Sequence, residues 1–132
     1  MKVGFIASAF DLLHPGHLAM LEEARSLCDK LVVGLHTDPT IDRPDTKEKP
    51  VETTFERFCR LNACKYVDVI IPYDTEEDLL NLLCVLSPDV RFLGSDYNGK
   101  PFTGDKLSFI EIVYIYRNHK FSSSNLRKRL IK

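Results

Sequence analysis

The stretch Ser8-Ala9-Phe10-Asp11-Leu12-Leu13-His14-Pro15-Gly16-His17 holds two imidazoles three residues apart, divided by a proline and a glycine. An apolar run ends just before it and a helical pattern begins at its end, so the histidines fall where a strand turns into a helix N-terminus. Free backbone N–H groups and the helix dipole favour an anion at such a point. Taken alone, the four residues from His14 to His17 read first as a turn with two exposed histidines. The flanking strand and helix favour an anion site.

The elements that must position this turn follow from the rest of the chain. Short β-rich runs alternate with helical patterns from end to end, which predicts an α/β domain with a mainly parallel sheet. Strands are expected at 2–7, 31–35, 67–71 (ended by Pro72), 90–93 and 109–114. The first helix starts near His17, with Leu18, Leu21, Ala24, Leu27 and Cys28 on one apolar face. A second helix spans about 54–64, a third opens on the acidic run Asp74–Asp78, where negative charge suits the macrodipole, and a last one starts near Ser123. Residues 37–52 hold Pro39, Pro44 and Pro50 among polar residues and read as a long loop, a length that is often functional. The expected fold is a Rossmann-like doubly wound sheet of about five parallel strands with flanking helices. Ligands of such sheets bind beyond the carboxyl ends of the strands. That edge receives residues 8–17, 36–50, 94–104 and 116–124.

Composition narrows the classes. The 132 residues, 44% hydrophobic, suffice for one core and one domain spanning 1–132, with no room for a second catalytic or regulatory one. Eighteen basic against nineteen acidic residues give a net charge of −1, which argues against a polymeric nucleic-acid partner. The average conceals a segment, 117–132, with six basic residues and no acid. No apolar run is long enough to span a membrane and none suits a signal peptide, so a cytoplasmic location is expected. Cys28, Cys59, Cys64 and Cys84 form no zinc spacing with the four histidines and read as small buried side chains in a reducing compartment.

The histidine stretch resembles the H-x-G-H signature of the nucleotidyltransferase superfamily, in particular the cytidylyltransferase group that includes glycerol-3-phosphate cytidylyltransferase. Five further segments match in order. Leu31-Val32-Val33-Gly34 with Thr37-Asp38 is similar to the second strand and its ending. Lys47-x-x-Pro50-Val51 with Glu56-Arg57 resembles K-x-x-P-V…E-R. Tyr66-Val67-Asp68 before Pro72, Gly94-Ser95-Asp96-Tyr97, and Arg117 followed by Ser122-Ser123-Ser124 complete the set. The resemblance covers essentially the whole chain.

Family members move a nucleoside monophosphate from a triphosphate to a phosphorylated acceptor and release pyrophosphate. A phosphate nucleophile is already ionised, so this chemistry needs positioned cations and donors more than a base. The resemblance implies that His14 and His17 meet the α- and β-phosphates and the transition state, with Gly16 at the helix N-terminus. One positioned donor is worth ~3–4 kcal/mol of transition-state stabilisation. Lys47 is the expected catalytic lysine of the mobile loop, with Lys49 its competitor, and Arg117 the expected catalytic arginine. Ala9, Phe10, Asp11, Asp96, Ser122, Ser123 and Ser124 are expected at the nucleotide. Asp38, Arg57 and Lys65 are expected at the acceptor, although Lys65 is equally a surface charge. Asp11 and Asp38 have other assignments open: orienting the histidine loop, reaching the ribose or Mg²⁺, or forming a turn. Mg²⁺ is implied as companion of the triphosphate; no metal ligand is assigned.

Ser8-Ala9 stands where the family commonly has glycine, and Asn118–Phe121 departs from the segment that helps recognise the base. CTP is the first expectation. ATP is the alternative, because Gly94-Ser95-Asp96-Tyr97 resembles heptose-phosphate adenylyltransferases and the serine-rich ending resembles FMN adenylyltransferases. A glycerol phosphate or similar polyol or sugar phosphate is the expected acceptor, and a homodimer is implied by the resemblance alone. Two other classes stay open: a nucleotide-binding homologue without catalysis, and nucleic-acid binding through Arg127-Lys128-Arg129 and Lys132.

Overall fold

The computed structural model describes residues 1–116. In chain order it contains β1 (Val3–Ser8), α1 (Pro15–Ser26), β2 (Lys30–His36), α2 (Thr54–Asn62), β3 (Val69–Tyr73), α3 (Glu76–Leu86), β4 (Val90–Gly94), a short 3-10 turn (Ser95–Tyr97) and β5 (Glu111–Ile115). The expected last helix, with Arg117 and Ser122–Ser124, lies outside the described residues. All pairings are parallel and the strand order is β3-β2-β1-β4-β5. Order reverses between β1 and β4, and a crevice opens at such a reversal beyond the strand ends.

Alternation along the strands divides the core into two layers. Ile6, Val33, Leu35 and Phe92 pack on one face with Leu21 and Ala24 of α1 and Leu61 of α2. Phe5, Val32 and Tyr73 pack on the other with Leu79 and Leu83 of α3. Burying one such leucine stabilises the fold by ~1.5–3 kcal/mol. Thr53 and Thr75 start α2 and α3 by accepting from the backbone of Glu56 and Asp78, whose carboxylates return the bond to the cap N–H groups.

Three expectations need correction. Leu18 and Leu27 are exposed by 38% and 45%; the buried stripe of α1 runs through Leu21, Ala24 and Cys28, with Met20 half-buried beside it. Pro72 does not end its strand. β3 is an edge, Tyr73 turns its carbonyl toward β2 to accept from Thr37, and the N–H that Pro72 lacks therefore falls on the open side. Of the cysteines only Cys28 is buried. Cys59 and Cys84 lie on the outer faces of α2 and α3, because the inward positions there belong to Leu61 and Leu83.

Candidate active site

His14 and His17 build the start of α1 themselves. His14 is the N-cap, and its Nδ1 accepts from the Gly16 N–H at 3.0 Å; His17 Nδ1 accepts from the His14 N–H at 3.3 Å. This is the reciprocal geometry of a capping box, with imidazole in place of hydroxyl and carboxylate. Pro15 occupies the first helical position, where its missing N–H costs nothing. A ring nitrogen that accepts carries no proton, so in each neutral imidazole the proton sits on Nε2. The rings stack at 3.9 Å between centroids, and Phe10 meets His17 in an edge-type contact at 5.5 Å between centroids. Tautomer and ring plane are thus both set by the backbone of one helical turn.

The loop before the histidines is held from across the chain. Phe10 and Leu12 have φ of 48° and 51°, the left-handed region that non-glycine residues avoid, at a cost on the order of 1–3 kcal/mol each. Between them the buried Asp11 accepts from the N–H groups of Val51 and Glu52 at 2.8 and 3.0 Å. Glu52 in turn accepts from the Leu12 N–H and from Arg60. Of the assignments open for Asp11, these bonds support orienting the histidine loop.

Arg57 is 2% exposed, under the site rather than in it. Its guanidinium donates to the carbonyls of Ala9, His36, Thr37, Glu52 and Thr53 and to the Thr54 hydroxyl, which ties the ends of β1 and β2 to the start of α2. Every nitrogen of the fork is engaged, so the expected acceptor contact is not presented. Asp38 accepts from the backbone and hydroxyl of Thr40 and lies 3.6 Å from Lys49. The Thr40 hydroxyl holds its carboxyl below the ordinary value, with Lys49 adding to the effect. Asp38 is the turn former of this loop. Lys65 precedes β3, at the amino edge of a parallel sheet whose carboxyl edge carries the histidines, and its ammonium sits over the Tyr66 ring. It is a surface charge.

One cleft of about 790 Å³ lies above the carboxyl ends of β1, β2 and β4. It brings together Ala9, Phe10, Asp11, His17, Lys47 and Asp96, with His14 and Gly16 forming the helix start beside it. Lys47 lines it and Lys49 does not. A second cavity, about 620 Å³, is an apolar groove along β3 and α3 between Pro72 and Val85, away from the histidines. The cleft also has a lobe on the α3 side that sequence reasoning did not single out, lined by His36, Arg43, Tyr73, Glu76 and Arg91. Burial lowers the pKa of His36 and Arg91 and raises that of Tyr73. Among the described residues no group of three His, Cys, Asp or Glu side chains is arranged to hold a metal, and no helix is long and apolar enough to cross a membrane. Mg²⁺ needs no such cage when phosphates supply most of its ligands, and Asp96 is a carboxylate lining the cleft.

A parallel α/β sheet with a histidine-built helix N-terminus at its topological switch point has the arrangement in which such folds receive anionic, phosphate-bearing ligands. Residues 5–129 match the cytidylyltransferase-like family, and the chain belongs to it, a family of nucleotidyltransferases. The bifunctional protein HldE of Caulobacter sp. (strain K31) is 39% identical over 104 residues, which is 79% of this chain and 21% of that protein. HldE of Campylobacter jejuni subsp. jejuni serotype O:6 is 35% identical over 130 residues, 98% of this chain and 28% of that protein. The chain thus spans about a quarter of the length of these relatives. Among solved structures, the lipopolysaccharide core biosynthesis protein of Thermoplasma volcanium superposes with a TM-score of 0.69 at 27% identity, covering 92% of this chain and 99% of that one. Pantothenate synthetase of Thermus thermophilus, at 18% identity, TM-score 0.65 and coverage of 97% and 64%, shares the fold.

Proposed function

We propose that the protein transfers a nucleoside monophosphate from a triphosphate to a small sugar or polyol phosphate and releases pyrophosphate. The observation that carries this reading is the pair of imidazoles whose Nδ1 atoms are engaged by backbone N–H groups, which makes each Nε2 a donor at a helix N-terminus. An acceptor phosphate oxygen attacks the α-phosphorus, that P–O bond forms, the bond to the β-phosphate oxygen breaks, and pyrophosphate leaves. No base is required. His14 and His17 stabilise the charge that builds on the α- and β-phosphates, and Lys47 closes over them from its loop. Asp96, which lines the cleft, would hold Mg²⁺ together with the triphosphate oxygens, and the ion would supply further charge neutralisation. Arg117 and Ser122–Ser124 belong to the same reading, at the far phosphates.

The nucleotide is ATP and the acceptor a heptose-type sugar phosphate. Support comes from the likeness of Gly94-Ser95-Asp96-Tyr97 to heptose-phosphate adenylyltransferases, from the HldE relatives, and from the lipopolysaccharide core biosynthesis neighbour. This reverses the first expectation of CTP and glycerol phosphate. The exposed apolar side chains of Val51, Phe55 and Phe58 on and beside α2 support the homodimer.

The test is pyrophosphate release from ATP, CTP, GTP and UTP, each with Mg²⁺, against a heptose 1-phosphate, a hexose 1-phosphate and glycerol 3-phosphate. ATP with the heptose phosphate is the expected pair. CTP with glycerol 3-phosphate as the better pair would restore the other specificity. Silence with every pair, in protein shown to be folded, rejects the enzyme and leaves a nucleotide-binding homologue.

A further inference from the structure

The α3-side lobe of the cleft holds three buried polar atoms with no hydrogen-bond partner: Arg43 Nε, Arg91 Nε and Glu76 Oε2. Such atoms are rare in folded proteins, and each requires an account. Arg43 and Glu76 do touch, but through one bond only, Nη2 to Oε1 at 3.2 Å. A purely structural Arg–Glu pair gains most by closing with two parallel bonds; this one leaves a donor and an acceptor unused. Arg91 stands inside the apolar run of β4, donates through Nη1 to the Thr103 carbonyl, and lies over the Phe102 ring at 5.3 Å. Those contacts fix the guanidinium and still leave its Nε–H unmatched.

The neighbouring groups complete a polar chamber. His36 stacks on Tyr73 at 4.6 Å, and its Nε2 lies 3.2 Å from the Asp74 carbonyl. A carbonyl only accepts, so Nε2 carries the proton and Nδ1 is an acceptor. The chamber therefore offers two guanidinium groups for an anion, the half-exposed Arg43 and the buried Arg91, each with a buried Nε, together with a carboxylate oxygen and an imidazole nitrogen for hydroxyl groups. A second triphosphate or a pyrophosphate would meet the Glu76 carboxylate at a penalty. A phosphate monoester bearing several hydroxyls satisfies all the groups at once.

We infer that this lobe is the acceptor subsite, that Arg43 and Arg91 take the acceptor's phosphate, and that Glu76 and His36 read its hydroxyls. The inference rests on the nucleotidyl-transfer reading, and it moves the acceptor from Arg57 and Lys65 to the opposite face of the sheet from α1. It also assigns the class of acceptor, a polyhydroxylated phosphate monoester in preference to phosphocholine-like or peptide phosphates, which have no hydroxyl pair for Glu76 and His36.

The test separates binding from turnover. The His36 ring signals are followed by NMR while heptose 1-phosphate, glycerol 3-phosphate and phosphocholine are titrated into the apo protein, Arg43→Gln and Glu76→Gln. Expected are saturable shifts at His36 with the two hydroxylated ligands, at least tenfold weaker binding of both in Arg43→Gln, and a loss of preference over phosphocholine in Glu76→Gln. In turnover assays both variants should raise the acceptor KM about tenfold or more and leave the nucleotide KM unchanged. A His36 ring that answers none of the ligands overturns the subsite, as does unaltered acceptor KM in both variants. Shifts at His36 without pyrophosphate from any triphosphate would uphold the subsite and reject the transfer reading instead.

Discussion

Asp11 and Glu52 are latched to each other's loops: the Asp11 carboxylate accepts from the Glu52 N–H at 3.0 Å, and the Glu52 carboxylate accepts from the Leu12 N–H at 3.0 Å. The latch keeps Phe10 and Leu12 in left-handed conformations and so aims the chain into the histidine turn. Strain of this kind persists only where surrounding contacts over-determine it.

Asp11→Ala leaves the Val51 and Glu52 N–H groups without their acceptors. Hydrogen bonds to charged groups contribute roughly 1.5–3 kcal/mol each, so losing the two should lower the unfolding free energy by about 3–6 kcal/mol, with Asp11→Asn about half as damaging because one acceptor oxygen remains. Urea denaturation measures both. A loss below about 0.5 kcal/mol for the alanine variant would mean that the latch does not hold the loop.

His14 caps the helix through Nδ1 and, in the proposed transfer, meets the phosphates through Nε2, and the two tasks can be pulled apart. Asparagine is a good N-cap and reaches no further than Nδ1 does. His14→Asn should keep the melting temperature and lower kcat about 10²–10³-fold. His14→Ala should lose the same activity and, in addition, about 1 kcal/mol of stability. Equal melting temperatures for the two variants would show that the cap bond is not structural.

His36 makes stability depend on pH. Burial holds its pKa below the ordinary 6.5, against the opposing pull of Glu76 and the Asp74 carbonyl and with the help of Arg43. The unfolded chain therefore binds the proton more readily, and stability rises with pH through the interval between the two values. The contribution is complete above pH 6.5 and is lost as pH falls toward the folded value. Denaturation midpoints measured between about pH 5 and 8 should decline on the acid side, and His36→Gln should flatten that decline. An unchanged slope in the variant would assign the acid sensitivity elsewhere.

The parallel sheet and the histidine turn were legible because their signals are local. Short continuous apolar runs mark β1, β2 and β4, and His14 through His17 specify a helix start within four residues. Pro72 misled because its tolerance depends on which side of β3 is open, a property of the whole sheet. Glu52 was invisible for the same reason, since its partners Leu12 and Arg60 lie 40 and eight residues away. Arg91 did leave a trace: a charge between Val90 and Phe92 in a buried strand is out of pattern, and a charge so placed calls for a partner or a ligand. Of the two readings open for Lys65, the sequence could not choose, because matching a motif position does not say which end of a parallel strand it occupies.

Arg57 is where the resemblance and the structure diverge most, and one substitution decides between them. As an acceptor-binding residue it would tolerate lysine in the fold while weakening the acceptor alone. As a buried clamp it cannot, because an ammonium has three donors on a flexible stem and lacks the planar fork that spans the Ala9, His36 and Thr37 carbonyls. Each buried carbonyl left without its donor typically costs about 1–3 kcal/mol. Arg57→Lys should therefore lower the melting temperature strongly and, in the fraction that remains folded, degrade nucleotide and acceptor binding together, since the ends of β1 and β2 carry both sides of the cleft. Intact stability with a rise confined to the acceptor KM would return Arg57 to the acceptor and remove the clamp.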